Sequence, residues 1–301
     1  MAEWHTVVPL SNLELPEGMK VEFAEGVVLG PKPDWVLKEK MIENCGKWDR
    51  TAVEEASAAL TVVYEAASFG DPDPDWPGPG RRSIQNTKYD LCLLANLALW
   101  ISRPSPASFR VLLHAPKFGE EPMAQHVACG ISPILCHPND TGTRLTAEDL
   151  AVAARLHESL VSAFRKGSIW NAARSISAAL QLNREDGRYL FFWVALEALF
   201  GPDSPGETTH KISQRIAFFL EKDRAKAKGV FMAAKKGYGF RSKIAHGGWK
   251  EDEDGLTRMA EVEALVRRAL LKILSDEELV KTFTAKGEKR EAFLADLVFL
   301  N

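Results

Sequence analysis

The segment Asp186–Phe200, DGRYLFFWVALEALF, constrains this chain more than any other. Its last eleven residues are apolar on every side except for Glu197. A helix without a polar face has to be surrounded by other elements, so this one marks the centre of a helical bundle. It is too short to cross a bilayer, and so is the other long apolar run, Leu91–Ile101. The neighbouring sequence fits a bundle. Thr146 and Asp149 open a helix that Gly167 closes, and a second runs from about Ser168 to Leu182. Gly201-Pro202 ends the central segment. Thr208 or Thr209 caps a helix to Glu221, and one or two more cover Lys222–His246 before Gly247-Gly248. Leu256–Leu274 is amphipathic, and two shorter helices finish the chain.

The first half reads differently. His5–Leu10 and Lys20–Leu29 are Val-rich and broken by Pro and Gly, as strands are. Asp34 caps a short helix through Asn44, and Thr51 with Glu54 opens an Ala-rich helix ending near Ser68. The run at 71–82, DPDPDWPGPGRR, is an exposed loop. Leu91–Ile101 and Ser108–His114 read as two β segments, while Pro116–Thr143 has no assignable pattern. The expected fold class is α+β: a mixed α/β domain over 1–145 followed by an all-α helical bundle over 146–301, with the boundary between 140 and 148.

Charge separates the same two halves. Residues 1–150 carry 13 Lys+Arg against 21 Asp+Glu, a net of −8, and residues 151–301 carry 25 against 20, a net of +5. An anionic partner therefore belongs to the second half. Cys45, Cys92, Cys129 and Cys136 form no C-x-x-C, and Cys129, Cys136 and His137 lack the spacing of a zinc site. Neither metal nor cofactor is expected. The N-terminus MAEWHTVVPL lacks the basic and apolar regions of a signal peptide, so the expected location is cytoplasmic.

Two constellations could carry chemistry. Glu197 needs a partner if buried, because an unpaired buried carboxylate is costly. Arg215 lies on the inward stripe set by Ile212, Ile216 and Phe219, and a Glu197–Arg215 pair would satisfy both groups. Such a pair either fixes the register of two helices or belongs to a site. The second constellation is Arg241 and His246 in RSKIAHGG. Between Lys222 and Lys250 there are nine Lys+Arg and one acid, Asp223. That run, with Lys235, Lys236 and Lys243 in it, either binds phosphates or answers the acidic residues Glu251–Asp254. Tyr238, Phe240 and Trp249 lie within it and could stack on bases. His246 falls in the last helical turn, where the negative end of the dipole favours imidazolium. It is either an acid–base group or a helix-end complement. Residues five apart sit ~140° apart on a helix, so Arg241 and His246 converge only if the helix is distorted near Gly239 or a second copy completes the site.

The succession WVALEALFG, THKISQRIAFFL and YGFRSKIAHG resembles the HEPN superfamily, in its Apea-like branch, over about residues 146–280. The resemblance implies a helical bundle, commonly dimeric, and in many members a metal-independent endoribonuclease serving toxin–antitoxin, CRISPR or antiphage systems. It implies Arg241 and His246 as the catalytic pair, with Glu197 and Arg215 as shared supporting positions. Ser242 stands where catalytic members often carry Asn, Asp or His. The expected function is RNA cleavage by 2′-OH attack, with RNA as partner, a homodimer through the helical domain, and a regulatory protein or trigger at the N-terminal domain. The alternative is a non-catalytic HEPN module that binds RNA, a nucleotide or a partner protein.

Overall fold

The computed structural model describes residues 1–37, 46–75, 81–105, 107–116, 127–128, 145–182, 184–202, 208–248, 254–285 and 287–299. The fold class is α+β. The chain forms two compact units, Met1–Val161 and Ser162–Asn301. Among the described residues, no helix is long and apolar enough to cross a membrane.

The first unit is built on an antiparallel sheet. Its strands are β1 (Ala2–Leu10), β2 (Val21–Glu22), β3 (Val27–Pro31), β4 (Ala58–Ala66), β5 (Val111–Pro116) and β6 (Val127–Ala128), in the order β2-β3-β4-β1-β5-β6. The side chains of β1 alternate between its two faces. Val7 packs with Ala59, Val111, Leu113 and Ala115 under Val53 of α1 (Lys47–Glu55). Trp4 packs on the other face with Tyr64, Ala66 and Ile84, the first residue of α2 (Ile84–Ser102).

Two expectations in this unit are corrected. The helix expected from Thr51 to Ser68 stops at Glu55, and the chain enters β4 instead. Every residue of β4 pairs with β1, from Leu10↔Ala58 to Ala2↔Ala66, and Thr61-Val62-Val63 supplies β-branched side chains suited to that surface. Pairing across the sheet outweighs the alanine content. The strand expected at Leu91–Ile101 is the buried length of α2, started by Ser83, whose hydroxyl accepts the Asn86 N–H at 3.3 Å. An apolar run covered on all sides shows neither period, and its Leu and Ala residues favour helix.

Smaller differences follow the same logic. Asp34–Leu37 forms a 3₁₀ turn, and the rest of the expected helix to Asn44 lies outside the described residues. The ends of the 71–82 loop are drawn together by Asp73 N–H donating to Arg82 O at 2.7 Å. The helix α3 (Ala147–Ser162) belongs with the first unit, so the division falls after it rather than at 140–148. Its His157 is fully buried, with Nε2–H donating to Leu91 O at 3.1 Å and the ring edge-on to Phe23.

The second unit is helical: α4 (Gly167–Gln181), α5 (Glu185–Phe200), α6 (Thr208–Leu220), α7 (Arg224–Ala245), α8 (Gly255–Leu274), α9 (Glu277–Thr284) and α10 (Gly287–Phe299). The central helix is α5, burying Phe192, Trp193, Leu196, Leu199 and Phe200. Phe200, Phe219 and Phe283 form an aromatic knot, with centroids 5.2 Å apart for Phe200–Phe219 and 5.8 Å for Phe219–Phe283. Phe191 and Val194 of α5 remain exposed, so the helix is not covered all round. Gly167 has φ of +59°, and an added Cβ would meet Phe283 O at 2.5 Å. Only glycine fits there.

Two outcomes follow. Gly167→Ala should lower stability by about 2 kcal/mol or more, read as a fall in the urea midpoint. Burial pushes His114 and His157 down to about 4. Their folded pKa lies below the unfolded 6.5, so folding favours the neutral ring. That stabilisation is complete above pH 6.5 and lost as pH falls toward 4, by on the order of 3 kcal/mol per histidine. His157→Leu should flatten the fall in urea midpoint between pH 7 and pH 5; an unchanged slope would contradict this account.

Candidate functional site

Glu197 sits three residues from the end of α5, with its side chain 24% exposed. Against it lies α7, brought close by Gly237. A Cβ on Gly237 would meet Trp193 Cζ2 at 2.7 Å, and its carbonyl accepts the Tyr189 hydroxyl at 3.0 Å. This approach places Tyr238 and Arg241 over Glu197. The Tyr238 hydroxyl donates to Glu197 Oε1 at 2.8 Å. Arg241 Nη2 lies 3.0 Å from Oε1 and donates to Oε2 at 3.1 Å. The guanidinium also lies 5.5 Å from the centroid of the Tyr238 ring. Burial, followed by the hydrogen bond to Glu197 and its negative charge, pushes the Tyr238 phenol up to about 12. Tyr238 is therefore a neutral donor throughout the physiological range.

The expected Glu197–Arg215 pair does not form. Arg215 is buried on the side of α6 that faces α10, and its guanidinium grips Glu291 through both Nη atoms, with Nη1 to Oε2 at 3.1 Å. The same Nη1 donates to Phe200 O at 3.2 Å. The inward stripe of α6 was readable, but not which carboxylate meets it. The signal for Glu291 is slight: it lies one turn before Leu294, a buried residue of α10. Arg290 beside it donates to Ala198 O at 2.6 Å and Gly201 O at 3.2 Å, closing the end of α5. These two arginines tie α10 to the bundle.

The helix α7 is one uninterrupted element of 22 residues, so distortion at Gly239 does not bring Arg241 to His246. Asp223, the single acid of the basic run, is spent as its N-cap, accepting the Lys226 N–H at 2.9 Å. At the other end His246 leaves the helix with φ −99° and ψ 18°. Gly247, with φ +81°, turns the chain, and Gly248 N–H donates to Lys243 O at 2.8 Å. His246 is exposed at the negative end of the dipole. Arg224, Lys228, Lys235, Lys236 and Lys243 are exposed and fall within ~120° of arc on α7. Arg241 points away from that arc, toward Glu197. Ser242 is half-buried at the edge of that arc, on the same azimuth as Arg224.

The stacking expectation is corrected for two aromatics. Tyr238 is buried and edge-on to Trp193 at 5.4 Å. Phe240 packs edge-on to Tyr189 at 5.4 Å, and the Arg258 guanidinium lies 4.2 Å from its centroid. Both hold the bundle together. Trp249, Lys250, Cys129, Cys136 and His137 lie outside the described residues.

Comparison with protein-family models, with curated proteins and with solved structures returns no match. The two arginines are distinguishable by stability. Arg215→Ala empties a buried site and strips the Phe200 carbonyl of its side-chain donor, while Glu291 is a third exposed and can turn to water, so it should cost about 2 kcal/mol or more. Arg241→Ala breaks a partly exposed pair and should cost about 1 kcal/mol. Equal losses in urea midpoint would mean that Arg241 serves the fold as much as Arg215 does.

Proposed function

We propose that the second unit is a metal-independent, cytoplasmic endoribonuclease of the HEPN type, acting as a homodimer. The observation that carries this reading is the division of labour on α7. One side holds Arg241 oriented by Glu197 and Tyr238. The other carries an exposed arc of cations with His246 at its end. The cations suit a phosphate backbone, and the oriented guanidinium suits the extra negative charge of a pentavalent phosphorus.

In this reaction the 2′-oxygen attacks the adjacent phosphorus and the bond to the 5′-oxygen breaks. One proton leaves the 2′-OH and another is delivered to the 5′-oxygen. The products are a 2′,3′-cyclic phosphate and a 5′-OH. His246 carries the protons, and two-fold related copies supply one imidazole as base and one as acid. Arg241 binds the scissile phosphate, Ser242 lies beside it, and Lys235, Lys236 and Lys243 hold the strand. Arg215 has a supporting role through the fold alone. The first unit receives a regulatory protein or trigger, which suits a toxin or antiphage defence effector.

Cleavage of mixed RNA in excess EDTA tests this. His246→Ala and Arg241→Ala should each slow cutting about 100-fold or more. Lys235→Glu with Lys236→Glu should weaken RNA binding and reduce its salt slope by about 2. Cutting that survives both His246→Ala and Arg241→Ala would overturn the assignment. Salt-sensitive binding without cutting would instead identify a non-catalytic RNA-binding module.

A further inference from the structure

The helix α7 carries cations well beyond the three lysines assigned to the strand, and two glycines that the fold does not ask for. The span Arg224–Ala245 contains no acid. Its exposed cations run from Arg224 and Lys228 through Lys235 and Lys236 to Lys243. At the rise of an α-helix they cover about 28 Å. Three glycines interrupt the same helix. Gly237 is explained by packing, since its Cβ would strike Trp193. Gly229 and Gly239 are not. Both are exposed without a positive φ, and an added Cβ would meet nothing within 4 Å at either position. Glycine weakens a helix interior relative to alanine, because it has more backbone freedom to lose. Nothing among the described residues offsets that loss. Around the helix axis, Gly239 falls in the middle of the cationic arc and Gly229 about 20° beyond its edge.

We infer that α7 is a track for the RNA backbone along its whole length, with Gly239 and Gly229 as the places where sugar and phosphate press against the helix. The inference rests on the RNA reading of this unit and extends it from Lys235, Lys236 and Lys243 to the far end of the helix. Charge alone lets a strand lie anywhere over a basic face. Glycine removes the side chain that would hold a backbone off the surface, which is its use where a ligand comes close. Cations on both sides of such a gap centre the strand over it. Lys235 and Lys236 lie one turn before Gly239, and Lys243 lies one turn after it. A stacked strand advances about 3.4 Å per nucleotide, and a strand pulled straight about twice that. A track of this length therefore holds about four to eight nucleotides, within the range of sequence-tolerant single-strand sites. Contacts of this kind fix position and length and carry no sequence information. His246 closes the track at one end, so the length it needs lies on one side of the cut.

The test measures binding apart from cutting. Oligouridylates of graded length with 2′-O-methyl groups cannot be cut by 2′-OH attack, and their binding is titrated by fluorescence anisotropy. Affinity should climb with length and level off at about four to eight nucleotides per chain. Arg224→Ala with Lys228→Ala should bring that plateau down by about two nucleotides. Gly239→Leu changes no charge and puts a good helix former at an exposed site, so its urea midpoint should rise. Its affinity for the longer oligomers should nevertheless fall about 10-fold. Ala264→Leu, the same kind of change at an exposed site on α8, should leave affinity unaltered. On cleavable RNA, cutting should demand the same length on one side of the scissile linkage only. Wild-type affinity in Gly239→Leu, or affinity indifferent to length, would overturn the track; cutting that depends on His246 would still stand, and the nuclease reading with it. Length-dependent binding that Gly239→Leu weakens, in a protein that cuts nothing, would keep the track and overturn the nuclease.

Discussion

The contact of Glu197 with Arg241 and Tyr238 is the constraint on which the site depends. A single carboxylate near the end of an apolar helix cannot stay buried alone. It draws a guanidinium and a phenol from α7, at 3.0 Å and 2.8 Å. That fixes the rotation of α7 about its axis. With Arg241 turned inward, the arc from Arg224 through Lys243 faces solvent. One ion pair thus sets both the inner chemistry and the outer electrostatics of the helix. Gly237 is its silent partner, since any side chain there would lift α7 away from Trp193.

The two arginines of similar sequence setting take different roles. Arg215 is buried and shared between Glu291 and the Phe200 carbonyl, which joins α6 to α10 and to the end of α5. Arg241 is about a quarter exposed and holds one carboxylate partner. A group meant to meet a phosphate must be reachable and must not be fully spent on the fold. On that criterion Arg241 qualifies and Arg215 does not. His246 satisfies the first half of the criterion by standing exposed where the helix ends. It does not converge with Arg241 along α7, which is why the proposed active site calls for a second copy of the chain.

The helical half was legible because its helices carry local signals: stops at Gly201 and Gly247, and a 3.6-residue stripe in α6 and α8. The sheet half was legible only in part. Alanine-rich β4 and leucine-rich α2 have compositions that contradict or fail to reveal their state, and the pairing of β4 with β1 decides the first of them. The site shows the same division. Arg241, His246 and Glu197 were found from residue type and context. The partner of each charge was not, because Glu291 lies 76 residues from Arg215 and its meeting with α6 is a property of the assembled bundle. The aromatic residues were misread for a related reason: their identity suits base stacking, and only packing shows that Tyr238 and Phe240 are turned inward.

The central claim is that the RNA 2′-OH is the attacking group and that Arg241 and His246 serve its reaction. The most direct measurement uses a short RNA with a mapped cut and the same strand bearing one 2′-deoxynucleotide on the 5′ side of that linkage. The account predicts that the all-RNA strand yields a 2′,3′-cyclic phosphate and that the deoxy linkage is not cut, while binding is unchanged. Cleavage through the deoxy linkage, or a product with a simple 3′-hydroxyl, would contradict it.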